Sequence, residues 1–294
     1  MMSGKDFIKK HAVAIYFFLT FALSWGVMSM MISPYSFPLT SEQSNAVGPM
    51  LYVGMLIGPS VSGLLMIGLL DGKTGYRELF GRLTNWRVGF QWYAVAILGT
   101  PILATIVLLV LSLISPDFLP ALLTSEDKAN LLMMGVGVGL MVGIFEEIGW
   151  TGFSVPQLRQ RYNIKRTGLI VGLIWGAWHF PPFWGINSFS AGLPLAILLG
   201  QLFAWLPAFR TALVLVHDQT KSLLVTILMH ASLVFTTLTL PSMGLSGVSL
   251  LIWLFAWGTA LWVLMTAINR RLVNHNHQMP TSIKISKRRE RFFH

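Results

Sequence analysis

Eight apolar runs, at residues 12–32, 47–70, 91–115, 131–149, 168–186, 193–216, 222–240 and 246–268, leave this chain few ways to fold. At about 1.5 Å of rise per residue, each is long enough to approach or span the ~30 Å hydrocarbon core of a bilayer as a helix. With 54% hydrophobic and 11% charged residues and a mean hydropathy of +0.66, the chain carries more apolar surface than one soluble core of its size would bury. The expected fold is therefore all-α, a polytopic membrane helix bundle of about eight transmembrane helices. No repeat or linker divides it, so residues 1–273 read as a single membrane domain and 274–294 as a basic cytoplasmic tail in contact with lipid. The first run is too long for a signal-peptide core and lacks a small-residue cleavage site, which predicts a retained span. Spans containing Pro49, Pro59, Pro101, Pro181, Pro182 and Pro207 are expected to kink or unwind locally.

Charge sets the expected orientation. Of the 21 Lys and Arg residues, Arg210 falls inside a span and Lys128 alone falls in the loops of one side; all the others lie at the termini or in the alternate loops. The positive-inside rule then places both termini in the cytoplasm of a multi-pass protein of the cell membrane, in agreement with an even number of spans. The net charge of +10 is dispersed between apolar runs, so it reads as topology and lipid-headgroup contact, and nucleic acid is not an expected partner. With no cysteine, disulfides, thiolate catalysis and zinc–thiolate sites are excluded.

The fourth run ends in two adjacent acids, Glu146 and Glu147. Near the middle of a span an ionised acid costs about 2.5–3.5 kcal/mol on insertion scales. Such a pair must lie near the helix end, find partners, or line a wet cavity, and it marks a functional site unless it merely reaches the headgroups. Neighbours on a helix point about 100° apart, so one acid is expected to meet water or substrate and the other to orient it or brace a helix. His179 and His230 fall at depths that let their helices share a cavity with these acids, although either could be a simple helix-packing residue. Trp175 and Trp178 could belong to an aromatic belt. Arg210 needs either a counter-charge, for which Glu146 or Glu147 is at the right depth, or a route to the headgroups. His217 is expected in a solvated loop.

Glu146-Glu147, Trp175-x-x-x-His179, and His230 following Thr220-Lys221-Ser222-Leu223 resemble the three motifs of the CPBP (Abi) family of intramembrane proteases. That family comprises type II CAAX prenyl endopeptidases and related bacterial proteins, including bacteriocin-processing and immunity proteins. The similarity covers about residues 133–234, within a motif-bearing core at 131–240. Three positions depart from the family pattern: Thr151 stands where Arg is usual, Trp175 where Phe is usual, and Val234 where Asn is usual.

The resemblance implies hydrolysis of a membrane-held, prenylated or otherwise anchored peptide. Glu146 would activate water and Glu147 would orient it. His179 and His230 would position the water or stabilise the oxyanion, with Ser232 or Arg210 replacing a missing hydrogen bond. The same chemistry admits a divalent metal such as zinc on His179, His230 and Glu146. Two other readings stay open: a noncatalytic scaffold or peptide-immunity factor of the same fold, and a proton-coupled carrier, since buried acids and imidazoles also build proton relays.

Overall fold

A computed structural model describes residues 4–35, 41–186, 192–242 and 244–278. In chain order the helices are α1 (Gly4–Lys10), α2 (Ala12–Ile32), α3 (Ser41–Leu83), α4 (Phe90–Ser112), α5 (Ala121–Thr124), α6 (Lys128–Gly149) and α7 (Val155–Arg159). They continue with α8 (Ile164–Trp178), α9 (Phe180–Ile186), α10 (Gly192–Leu199), α11 (Leu206–Thr220), α12 (Leu223–Thr239) and α13 (Gly247–Gln278). π-helical turns join α6 to α7 over Trp150–Ser154 and α10 to α11 over Gly200–Ala204. Among the described residues, six helical stretches are long and apolar enough to cross a membrane: Ala12–Ile32, Ala46–Leu83, Phe90–Ser112, Lys128–Arg159, Leu193–Thr220 and Gly247–Ile268. The chain is a multi-pass helical membrane protein.

Two of the eight expected spans take a different form. Run 222–240 is the shorter apolar helix Leu223–Thr239. Run 168–186 is not one helix, because α8 stops at Trp178 and α9 follows. Pro181 and Pro182 are the cause: neither carries an amide N–H, and a proline disfavours helical geometry in the residue before it. His179 becomes the C-cap of α8 as a result. The long α3 breaks at Gly72 (φ 55°, ψ −137°) while Pro49 and Pro59 lie within its helical parts; this left-handed φ is one that glycine adopts without steric cost. At the far end α13 continues to Gln278, past the expected start of the tail, and residues 279–294 lie outside the described residues.

Two glycine rows decide which helices touch. Gly135, Gly139 and Gly143 recur every fourth residue along α6, and a Cβ at each would stand 2.5–2.7 Å from α12 atoms of Thr239, Ala231 and Ile227. Along α8, Gly168, Gly172 and Gly176 stand as closely against Thr211, Pro207 and Leu202. Lipid chains are as apolar as leucine, so membrane helices associate through backbone approach and van der Waals contact of this kind. The rows lock α6 onto α12 and α8 onto α11. Behind them, Ser60 of α3 donates to the carbonyl of Phe145, and the α3 and α6 backbones meet at Gly63 and Gly149.

The three helices that carry the acids and histidines each begin at a side-chain cap. Asp127 accepts from Asn130 N (3.0 Å), Asn163 from Arg166 N (2.8 Å) and Ser222 from Val225 N (3.2 Å). Each satisfies an amide that the first helical turn leaves without a partner.

Candidate active site

Glu147 is buried completely and its carboxylate is crowded with donors. Oε1 accepts from Arg210 Nη1 (2.8 Å) and from His230 Nδ1 (2.7 Å), and Oε2 accepts from Arg210 Nη1 (3.0 Å) and from the hydroxyl of Thr151. One carboxylate thereby ties together α6, the π turn, α11 and α12. The π turn has a direct part in this, since it presents Thr151 to the acid one turn earlier. Arg210 is fully buried, and its guanidinium lies 4.2 Å from the centre of the Trp175 ring. It is the counter-charge that membrane burial requires, so Arg210 is paired to Glu147 rather than reaching for the headgroups.

Glu146 points elsewhere, as the 100° step demands. Among the described residues its hydrogen-bond partner is the indole N–H of Trp175, at 2.6 Å to Oε2. Trp175 is the hub of the cluster: besides Glu146 and Arg210 it touches His179 (ring centroids 5.2 Å) and His230 (5.3 Å), both edge-on. Trp175 and Trp178 are interior residues, each 1% exposed, and not members of an interfacial belt.

The imidazoles have readable tautomers. His230 Nδ1 faces a carboxylate already held by Arg210, and His179 Nδ1 lies 2.8 Å from the carbonyl of Trp175. Both partners accept, so both Nδ1 atoms carry the proton and both Nε2 atoms are left for water or substrate. The ring of His179, only partly buried, also packs edge-on against Trp178 at 4.8 Å. Trp178 in turn meets Trp150, and its carbonyl accepts from Trp25 Nε1 of α2 (3.1 Å).

The structure thus brings Glu146, Glu147, His179, His230, Arg210 and Trp175 together and leaves Ser232 out. Ser232 faces α4, where its hydroxyl meets Ile97 O (2.7 Å) and Thr100 Oγ1 (2.9 Å). Position 232 is two residues from His230, about 200° around the helix, and so on its far side. His217 is also not where the sequence reading put it. It is 6% exposed within α11, which runs on to Thr220 and stops at Lys221 in the left-handed region (φ 52°). Among the described residues no three His, Asp or Glu side chains stand close enough to share a metal ion.

The three departures acquire physical meaning. Thr151 and Arg210 together donate to Glu147, so the guanidinium comes from α11 and not from within the motif. Trp175 gives Glu146 a hydrogen bond that a phenylalanine could not. Val234, one turn beyond His230 on the same face, adds no polar group. In the sequence Trp175 and Thr151 stand out only as departures from the family pattern; their contacts with Glu146 and Glu147 come from the packing.

Residues 128–236 match the family model for Type II CAAX prenyl endopeptidase Rce1-like proteins. Over this segment, just over a third of its length, the chain is similar to Rce1-like proteins. The matched segment contains Glu146, Glu147, Thr151, Trp175, His179, Arg210 and His230 and the α8–α11 glycine contacts, while Thr239, which packs against Gly135, lies just beyond it. The chain is also similar to CAAX prenyl protease 2 of Methanococcus maripaludis, 29% identical over 76 residues, which are 20% of this chain and 28% of that protein. It therefore spans less than a third of that relative's length in the match.

Replacing Trp175 by Phe isolates the indole N–H. Trp175→Phe keeps most of the ring and strips Glu146 of its partner, at an expected cost of about 1.5–3 kcal/mol for a hydrogen bond to a charged group. The check is the thermal denaturation midpoint in detergent, which falls relative to wild type. An unchanged midpoint would mean that Glu146 finds another donor.

Proposed function

We propose that this protein is a CAAX-type intramembrane endopeptidase that hydrolyses a membrane-held peptide with water activated by Glu146. The observation that carries the reading is the unequal treatment of the two acids. Glu147 is saturated by Arg210, His230 and Thr151, whereas among the described residues Glu146 receives one indole N–H, from the Trp175 whose ring also packs against His179 and His230. A saturated carboxylate orients its neighbours; a lightly held one can take a proton.

In the proposed reaction, Glu146 removes a proton from water held against His179 Nε2, and the hydroxide oxygen bonds to the scissile carbonyl carbon. The carbonyl oxygen takes up the negative charge and accepts a hydrogen bond from Nε2–H of His230 in its doubly protonated form, whose Nδ1–H stays on Glu147. The C–N bond then breaks as Glu146 returns its proton to the leaving nitrogen. Water has been added across one peptide bond, and no electrons have changed hands.

The test is mass spectrometry of farnesylated peptides ending in a CAAX sequence after incubation with purified protein in lipid nanodiscs. The expected products are the shortened prenyl peptide and a free tripeptide, with turnover persisting in strong chelator. Loss of turnover in chelator and its return with zinc would replace water activation by Glu146 with metal activation.

We also propose that both ends of the chain face the cytoplasm of the cell. The absence of cysteine makes this simple to measure with introduced thiols, because Lys73 and Lys128 are both exposed. In intact cells, a membrane-impermeant maleimide should label Lys128→Cys and spare Lys73→Cys. The reverse pattern would invert the topology.

A further inference from the structure

Away from the acid–imidazole cluster, a narrow cleft of about 60 Å³ opens between the start of α8, the middle of α11 and the middle of α13, lined by Lys165, Leu215, Trp262, Met265 and Thr266 among others. It adjoins a second, shallower hollow of about 360 Å³ that shares Trp262 and Thr266 and includes Arg270. The hollow is of the size of small-molecule sites, about 300–1,000 Å³, and the cleft is a narrow crevice leading off it.

The chemistry of the walls is divided. The hydroxyls of Thr211 and Thr266 are satisfied by the carbonyls of Pro207 (2.8 Å) and Trp262 (2.7 Å), and Trp262 Nε1 donates to Ala204 O (3.1 Å), so the interior of the cleft presents apolar surface. The charged members are Lys165 in the cleft and Arg270 in the adjoining hollow, both exposed, and neither forms an ion pair among the described residues. No carboxylate lines either hollow. Lys165 lies in the first turn of α8, and Arg270 lies two residues beyond the apolar stretch Gly247–Ile268, which puts both cations where a helix leaves hydrocarbon for headgroups.

We propose that this cleft is a binding site for one anionic phospholipid, with its phosphate between Lys165 and Arg270 and an acyl chain against Trp262, Met265 and Leu215. Free phosphate would satisfy the cations and leave the apolar walls uncovered. A neutral lipid or a detergent would cover the walls and leave two cations unmatched. Basic pockets between membrane helices recognise anionic headgroups through this combination. The occupant would also brace α11 beside Arg210, since Thr211 lines the cleft.

The test uses the full chain purified in a neutral detergent, with thermal denaturation followed on addition of dioleoylphosphatidylglycerol, dioleoylphosphatidylcholine or inorganic phosphate. Phosphatidylglycerol at saturation should raise the midpoint by about 4 °C or more, and the other two should not. Lys165→Gln/Arg270→Gln should raise the half-saturating phosphatidylglycerol concentration roughly 30-fold, as loss of two headgroup-facing cations predicts. The charge-preserving Lys165→Arg/Arg270→Lys and the remote Lys73→Gln/Arg87→Gln should bind as wild type. Equal responses to both lipids, a response to phosphate alone, or an equal loss in the Lys73/Arg87 control would overturn the proposal. Because the readout is stability, it is independent of whether the protein cleaves peptides.

Discussion

Glu146→Gln should lower turnover of a prenylated peptide about 10²–10⁴-fold, the range that a positioned general base contributes, while leaving the protein folded. Glutamine keeps the shape of the side chain and its carbonyl oxygen can still accept from Trp175 Nε1, so the packing around the indole is preserved. What it cannot do is take a proton from water. The measurement pairs initial rates in nanodiscs with a thermal midpoint for the same preparation. A variant that denatures early says nothing of catalysis, so the midpoint must match wild type before the rate is interpreted. Full activity in a well-folded Glu146→Gln protein would sink the hydrolytic reading.

Removing Arg210 should do the opposite: it should cost stability before it costs chemistry. Arg210→Met takes the buried cation away from a carboxylate that is itself fully buried, and breaking such a pair from one side costs about 3–5 kcal/mol. The expected result is a steep fall in the denaturation midpoint and in the yield of monodisperse protein in detergent. Glu147→Gln/Arg210→Met, which removes both charges, should be more stable than Arg210→Met alone, because the uncompensated carboxylate is the larger part of the penalty. If the double variant is as unstable as the sum of the single ones, the two residues act independently and Glu147 is not held by Arg210.

The two experiments probe opposite halves of one arrangement. Glu147 engages two other helices and a turn, and that fixes where Glu146 and His230 stand. Groups that must be held within a fraction of an ångström need supports whose own hydrogen bonds are complete. In a membrane such supports carry a further obligation, since each unpaired polar group faces hydrocarbon instead of water.

Much of this was legible in the sequence. Apolar runs of spanning length force helices, because a backbone in lipid must satisfy its own hydrogen bonds, and that decided the all-α multi-pass fold. Acids, imidazoles and an arginine inside those runs are too costly to be incidental, so Glu146, Glu147, His179, His230 and Arg210 were readable as one cluster of interest. The glycine rows at 135, 139 and 143 and at 168, 172 and 176 were also present as plain four-residue spacings, and they are the signal that could have named the α6–α12 and α8–α11 pairs. The Pro181-Pro182 pair likewise marked the end of α8.

Only the tertiary structure decided which acid is saturated and which is lightly held. Adjacent residues on a helix differ in direction but not in depth, so spacing alone leaves Glu146 and Glu147 interchangeable. Partner choice was equally hidden: that Arg210 meets Glu147, that Trp175 donates to Glu146, and that Ser232 turns to Thr100 depends on how α6, α8, α11, α12 and α4 are rotated about their axes. Those rotations are set by backbone contacts between segments up to about a hundred residues apart. His217 failed as a surface residue for the same reason, since a helix continuing one turn further carries its side chain into the bundle. The sequence determined what must be buried and the approximate depth of each polar group, while the packing of the helices determined which of those groups touch.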